Sequence, residues 1–141
     1  MIDVHDLSHS YGQRAALSQV SLRVGPGEVY GFVGPNGAGK TTTIRVLSTL
    51  LEPSAGRVEI WGIDALARPD EVRRRVGFVP DSVGVYERLT VEEYVSFFAA
   101  AAGIAPASAR RDAVEVAMEL TGMGPLRDRM CGALSRGMRQ R

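Results

Sequence analysis

The chain has 141 residues, 45% of them hydrophobic and 23% charged, with a formal charge of +1. That balance describes a globular domain or a piece of one, and excludes a disordered, collagenous or mucin-like chain. The near-neutral charge supplies no field to draw the protein onto nucleic acid or an anionic membrane.

No stretch is long and apolar enough to span a bilayer, which needs about 20 residues; the longest weakly apolar run is Val95 to Ala107. Cys131 is the only cysteine, so neither an internal disulfide nor CxxC zinc spacing exists. Residues 1–10 have no basic start and no apolar run, so no signal peptide is read there and a cytoplasmic location is expected.

In chain order, Ile2 and Val4 alternate with polar residues, and Val20, Leu22 and Val24 alternate again before the turn signal Gly25-Pro26-Gly27. Val29 to Val33 is a short, nearly continuous apolar run that predicts a strand buried on both faces. Gly39 to Leu51 places Ile44, Leu47 and Leu51 at helical spacing, and Glu52-Pro53-Ser54 ends that helix. Val58 and Ile60 predict a strand, Pro69 to Arg75 a short helix, and Val76 to Pro80 another strand.

The character changes after residue 88. Thr90-Val91-Glu92-Glu93 fits a capping box, with Thr at the N-cap and Glu three residues on. A helix follows through Val95, Phe98 and Ala102. A second runs from Pro106 to Leu120, with Val114, Ala117, Met118 and Thr121 on one face. Thr121 to Gly124 reads as a break. The chain is therefore α/β first and helical later.

Gly34-Pro35-Asn36-Gly37-Ala38-Gly39-Lys40-Thr41 matches G-x-x-x-x-G-K-[ST], between an apolar run and an amphipathic helix. Glycines there let backbone N–H groups turn inward as an anion nest, and the helix start adds about half a positive charge. Lys40 supplies a full charge toward β- and γ-phosphates, and the Thr41 hydroxyl suits Mg²⁺. Sixteen of the seventeen basic residues are Arg, and Lys40 is the only Lys. A guanidinium is too broad to act as a point charge between phosphates.

Gly34 to Thr42 (GPNGAGKTT), taken with Leu134 to Arg141 (LSRGMRQR), resembles the ATP-binding cassette (ABC) family over essentially the whole chain. Glu52 to Gly56 and Val85 to Thr90 also resemble it. The resemblance implies an α/β P-loop NTPase with a RecA-like core, an antiparallel β subdomain and an inserted helical lobe. The expected division is 1–87 for the core, 88–134 for the lobe and 134–141 for the signature. The usual signature is Leu-Ser-Gly-Gly-Gln; here Arg136 and Met138 depart from it, while Ser135 and Gly137 remain. In the family these grip the phosphate of ATP held by a second cassette, in a head-to-tail dimer. The alternative is an ordinary Ser-capped helix start.

By the same resemblance Tyr11 stacks on adenine, against the plainer reading of a half-buried aromatic at a strand end. Asp81 stands where the family usually has Gln, an acidic variant familiar in drug and antibiotic exporters. It is read either as a Mg²⁺ ligand or as a turn residue. Pro80 argues against a Walker B acid, which ends an uninterrupted buried strand. Arg73-Arg74-Arg75 predicts a solvated helix face, Phe97 and Phe98 the packing of the helical lobe, and Trp61 a core or turn position. Cys131 reads as a small buried residue. His5 and His9 lack ligand partners at useful spacing.

A hydrolysing cassette also needs a buried strand ending in Asp-Glu beyond the signature and a further His. Neither occurs in residues 1–141, nor does the strand that should flank the P-loop strand. The expectation is an ATPase subunit energising export through a separate transmembrane permease, peripheral on the inner face of the membrane and with no nucleic-acid partner. Residues 1–141 alone are expected to bind ATP, turn over little of it and be marginally stable. Alternatives are a truncated, non-catalytic nucleotide-binding protein or a non-transport ABC ATPase.

Overall fold

Strands β1 (Ile2–Tyr11) and β2 (Arg14–Val24) form a hairpin closed by Gly12 and Gln13, with Gly12 at φ +59°. Strand β3 (Ala55–Ile60) pairs with the other edge of β1, and β4 (Ile63–Asp64) pairs with β3. The sheet is antiparallel, in the order β2-β1-β3-β4. The computed structural model describes residues 1–80 and 84–140, and the chain divides into two compact units, Met1–Phe78 and Val79–Arg141.

The alternation expected in β1 breaks after Val4. Val4 and Leu7 are both buried, a three-residue step that a regular strand does not allow. Asp6 at φ +48° and Gln19 at φ +49° mark irregularities in the ladder, whose register shifts between Val4 and Leu7. Hydroxyls take up the displaced amides. The Asp6 N–H donates to Ser21 Oγ and the Gln19 N–H to Ser8 Oγ, each at 2.9 Å. Gly56 of β3 presses on the same place: a Cβ there would stand 2.6 Å from the Asp6 carbonyl oxygen, at φ +100°. Only glycine combines that φ with that approach.

Val4, Leu7 and Val58 fill the first core together with Val46 of helix α1 (Lys40–Leu47) and Val72 of α2 (Pro69–Arg73). Each such fully buried side chain contributes about 1.5–3 kcal/mol. The first helix is shorter than the spacing predicts. It ends at Leu47, where the Ser48 hydroxyl donates to the Ile44 carbonyl at 2.8 Å and Thr49 takes φ +56°. Arg73 is not simply solvated: its Nε donates to Thr49 Oγ1 at 2.8 Å, tying α2 to the end of α1. Arg74 and Arg75 are exposed. Trp61 is exposed at the β3–β4 turn, at φ +53°, and is no core residue.

Two expected strands are not formed. Residues 29–33 lie outside the sheet, and Val29 and Val33 are 101% and 97% exposed. A strand needs a neighbour for its N–H and C=O groups, and among the described residues none lies beside this run. Residues 76–80 are not a strand for the same reason, and Phe78 and Val79 are exposed.

In the second unit, α3 (Val91–Ala101) starts from the expected capping box. Thr90 Oγ1 accepts the Glu93 N–H at 3.2 Å, and Glu93 Oε2 accepts the Thr90 N–H at 2.8 Å. Helix α4 (Ala107–Thr121) buries Val114 and Met118 and stops at Gly122, φ +63°. These two side chains, with Val91, Met123, Cys131 and Leu134, form the second core. Burial pushes the Cys131 thiol up, which keeps it protonated. Arg127 donates to both carboxylate oxygens of Glu115, at 2.8 and 2.7 Å. The Cys131 N–H donates to the Leu89 carbonyl at 2.9 Å, so the segment after α4 is pinned beside the start of α3.

Phe97 and Phe98 do not pack the interior of this unit. They are 48% and 47% exposed and meet Tyr86 and Tyr94 at the surface, with ring centroids 5.5 Å apart for Tyr86–Phe97 and 4.8 Å for Tyr94–Phe98. The helical spacing that predicts a core stripe here aims at a surface patch instead.

Thr90→Ala removes the acceptor for the Glu93 amide and should cost about 1 kcal/mol, seen as a lower denaturation midpoint with the helical signal retained. Equal midpoints would show that the box adds nothing. Asp64 Oδ1 accepts the N–H groups of Ala67 and Leu66, and these two bonds hold its carboxyl below the usual range. A depressed folded pKa gives stability above the ordinary carboxylate pKa that is lost as pH falls through the folded value. The stability advantage over Asp64→Asn should therefore shrink on acidification; a pH-independent difference would contradict this.

Candidate functional site

The loop 34–39 leads directly into α1, and Gly39 is the N-cap of that helix at φ +86°. A Cβ at Gly39 would stand 2.5 Å from Leu17 Cδ2 and 2.7 Å from the Ala16 carbonyl oxygen. The loop is thus seated on β2 at a point where no other side chain fits. Gly37 also has positive φ, +85°. The Ala38 N–H donates to the Pro35 carbonyl at 3.3 Å and the Thr43 N–H to the Gly39 carbonyl at 2.8 Å. The Thr43 hydroxyl donates to the same Gly39 oxygen at 3.0 Å, inside the core.

Lys40 Nζ donates to the carbonyls of Gly34 and Pro35, 2.7 Å each. The ammonium therefore sits within the ring of the loop and uses two of its three donors there. A compact point charge fits that position; a planar guanidinium of the same reach would not turn back into so tight a loop. Thr41 and Thr42 come next on the first turn of α1 and face the same cleft, of about 400 Å³. Asn36, Gly37, Gly39 and Lys40 form one wall, and Tyr11, Arg14 and Ala16 of the hairpin form the other.

Tyr11 is thereby brought beside a loop that begins more than twenty positions later. It is half exposed, and its ring stands edge-on to His9, with centroids 4.7 Å apart and planes at 80°. His9 is buried, and among the described residues neither of its ring nitrogens has a hydrogen-bond partner. Arg14 is the residue that sequence reasoning passed over. The signal was present: a two-residue turn after Tyr11 puts Arg14 directly opposite it in register.

The signature residues lie in the second unit. Ser135 is the N-cap of α5 (Arg136–Arg139), and its Oγ accepts the Met138 N–H at 3.3 Å. Gly137 is exposed, and a Cβ added there would meet nothing within 4 Å. Asp81 lies outside the described residues. Among the described residues, no helix is long and apolar enough to cross a membrane.

This arrangement brings a glycine loop with left-handed backbone, a lysine ammonium, hydroxyls at a helix start and an aromatic side chain to one cleft. Comparison with known proteins agrees with it. The family model for ABC transporter matches residues 17–141. The chain is 35% identical over all its length to the bacitracin transport ATP-binding protein BcrA of Bacillus licheniformis, covering 45% of that protein. It is 40% identical over 99% of its length to the daunorubicin/doxorubicin resistance ATP-binding protein DrrA of Streptomyces peucetius, covering 42% of it. It thus spans less than half of either relative. Among solved structures, the ATP-binding subunit of an ABC transporter superposes with a TM-score of 0.82 at 31% identity, covering 99% of this chain and 58% of that one. So does cbiO1 from Clostridium perfringens, part of the ABC transporter complex cbiONQ, with a TM-score of 0.82 at 27% identity, over 99% of this chain and 57% of that one. The fold is that of P-loop ATPase cassettes, present here in part, and the chain belongs to the ABC transporter ATP-binding family.

Proposed function

We propose that this chain binds Mg·ATP in the cleft between Tyr11 and Lys40, as the nucleotide-binding part of a motor that drives export through a separate transmembrane permease. The observation that carries the reading is the meeting of an aromatic side chain, a glycine-built loop and its lysine on one cleft. The residues fit the group. Gly37 and Gly39 hold left-handed backbone that opens the loop, and Gly39 is a position a Cβ would block. Backbone from Gly34 to Gly39, Lys40 and the start of α1 would hold the phosphates, Tyr11 the adenine, and Thr41 the Mg²⁺. Asp81 is proposed as a further metal ligand. Bound Mg²⁺ would supply charge neutralisation at the phosphates. The names of BcrA and DrrA support antibiotic or drug export as the transport type.

Residues 1–141 are proposed to bind ATP and turn over little of it, the hydrolytic acid pair and His not being among them. A second cassette, head to tail, would receive Ser135 and Gly137 on its own nucleotide. Among the described residues nothing would crowd a Cβ at Gly137, which leaves this backbone open to an approach from outside. The exposed rings of Tyr86, Phe97 and Phe98 would seat the permease, with the protein peripheral on the inner face of the membrane.

Calorimetric titration with ATP tests the nucleotide site. Lys40→Ala should abolish binding. Tyr11→Ala should weaken it roughly 5- to 150-fold, the value of one base–aromatic stack. Unaltered binding in both would sink the reading, and hydrolysis by residues 1–141 that Lys40→Ala abolishes would overturn the claim of low turnover. The partner surface has its own test. Phe98→Glu should leave ATP affinity unchanged and reduce co-purification of the longer protein with its permease; retained association would remove the rings from the interface.

A further inference from the structure

We infer that Arg14 is a second cationic ligand of the bound nucleotide's phosphates, supplied by the β1–β2 hairpin and not by the phosphate loop. This rests on the nucleotide reading above and goes beyond it by adding a residue to the site. Arg14 and Tyr11 are direct register partners across the two-residue turn. Opposed residues of an antiparallel pair project from the same face, so the guanidinium and the aromatic ring emerge side by side into one cleft. The guanidinium reaches the loop: its Nη2 lies 3.9 Å from where a Gly37 Cβ would be.

Arg23, Arg57, Arg68 and Arg73 of the same unit each meet a carboxylate. Among the described residues Arg14, like Arg45, Arg74 and Arg75, has no carboxylate partner, but of these four only Arg14 lines the cleft, where it is exposed. Lys40 has turned two of its donors onto the loop's own carbonyls. Arg14 keeps a planar fork of donors, the geometry that matches two phosphate oxygens at once. The ligand class is a nucleoside di- or triphosphate, held by its base on Tyr11 and by its charge between Arg14 and the nest.

The test is calorimetric titration of ATP into the wild-type chain and into Arg14→Ala, Arg14→Lys and Tyr11→Ala, each at low and high salt. Arg14→Ala should bind ATP roughly tenfold more weakly, the loss of one charge-assisted contact at an exposed site. Its affinity should also fall less steeply with salt, because a screened charge pair has been removed. Arg14→Lys should recover part of both effects, and Tyr11→Ala should weaken binding with the wild-type salt dependence. Unchanged affinity in Arg14→Ala overturns the assignment. So does weaker binding with an unchanged salt dependence, which would mean that the hairpin was merely disturbed. If the wild-type chain binds no ATP, the nucleotide reading fails and this assignment falls with it.

Discussion

The contact between Gly39 and β2 is the constraint on which the site depends. The N-cap of α1 lies so close to Ala16 and Leu17 that a methyl group would overlap both. That closeness fixes three things together. It sets the direction in which α1 leaves the loop, it puts the loop's open side against the hairpin, and it leaves Lys40 to close the ring on Gly34 and Pro35. The glycine of the motif is therefore not only a means of turning backbone N–H groups toward an anion. It is also a packing residue, and the loop's conformation is inherited from the sheet beneath it.

The sheet achieves this through irregularity. Positive φ at Asp6 and Gln19, the hydroxyls of Ser8 and Ser21 and the bare backbone of Gly56 belong to one device. A bulge strengthens local twist and re-aims the side chains beyond it along the strand. In β1 those side chains are Leu7, then His9 and Tyr11. His9, with register shifts on both sides of it, is buried, and Tyr11 is set against it edge-on at the strand's end, facing the cleft. The aromatic wall of the site is thus tied to the irregular stretch of β1 that runs from Val4 to Ser10.

The elements that could be read from the sequence are those whose signals are local. The phosphate loop and the capping box depend on residues a few positions apart; the capping box has its expected hydrogen bonds, and the loop leads into a helix as its motif predicts. The Val114–Met118 face was readable because its periodicity meets a partner within the same unit, and Cys131, read as a small buried residue, joins that core. The apolar run 29–33 carried as strong a pattern and formed no strand, because a strand is completed by a neighbour and the pattern does not contain that neighbour. Phe97 and Phe98 failed differently. Helical spacing says that residues share a face, and not whether that face looks inward; here Val91 takes the buried side and the rings stay at the surface. Arg14 was legible in principle, since the turn length fixes its register, but the composition hid it among sixteen arginines.

The use of two different cations on one cleft has a physical logic. Within the loop the available volume is set by backbone carbonyls, and a compact ammonium with three donors bonds two of them and keeps a third. Outside the loop, on the hairpin, the spacing is set by side chains, and the charge must reach across open space to be useful. A long, delocalised and weakly hydrated guanidinium loses less on leaving water and spreads its donors over a wider target. Exchanging the two would cost at both places: an arginine at 40 would force the loop open, and a lysine at 14 would keep the charge but lose the fork. Position 40, where the loop leaves room only for the compact cation, holds the one Lys of the chain.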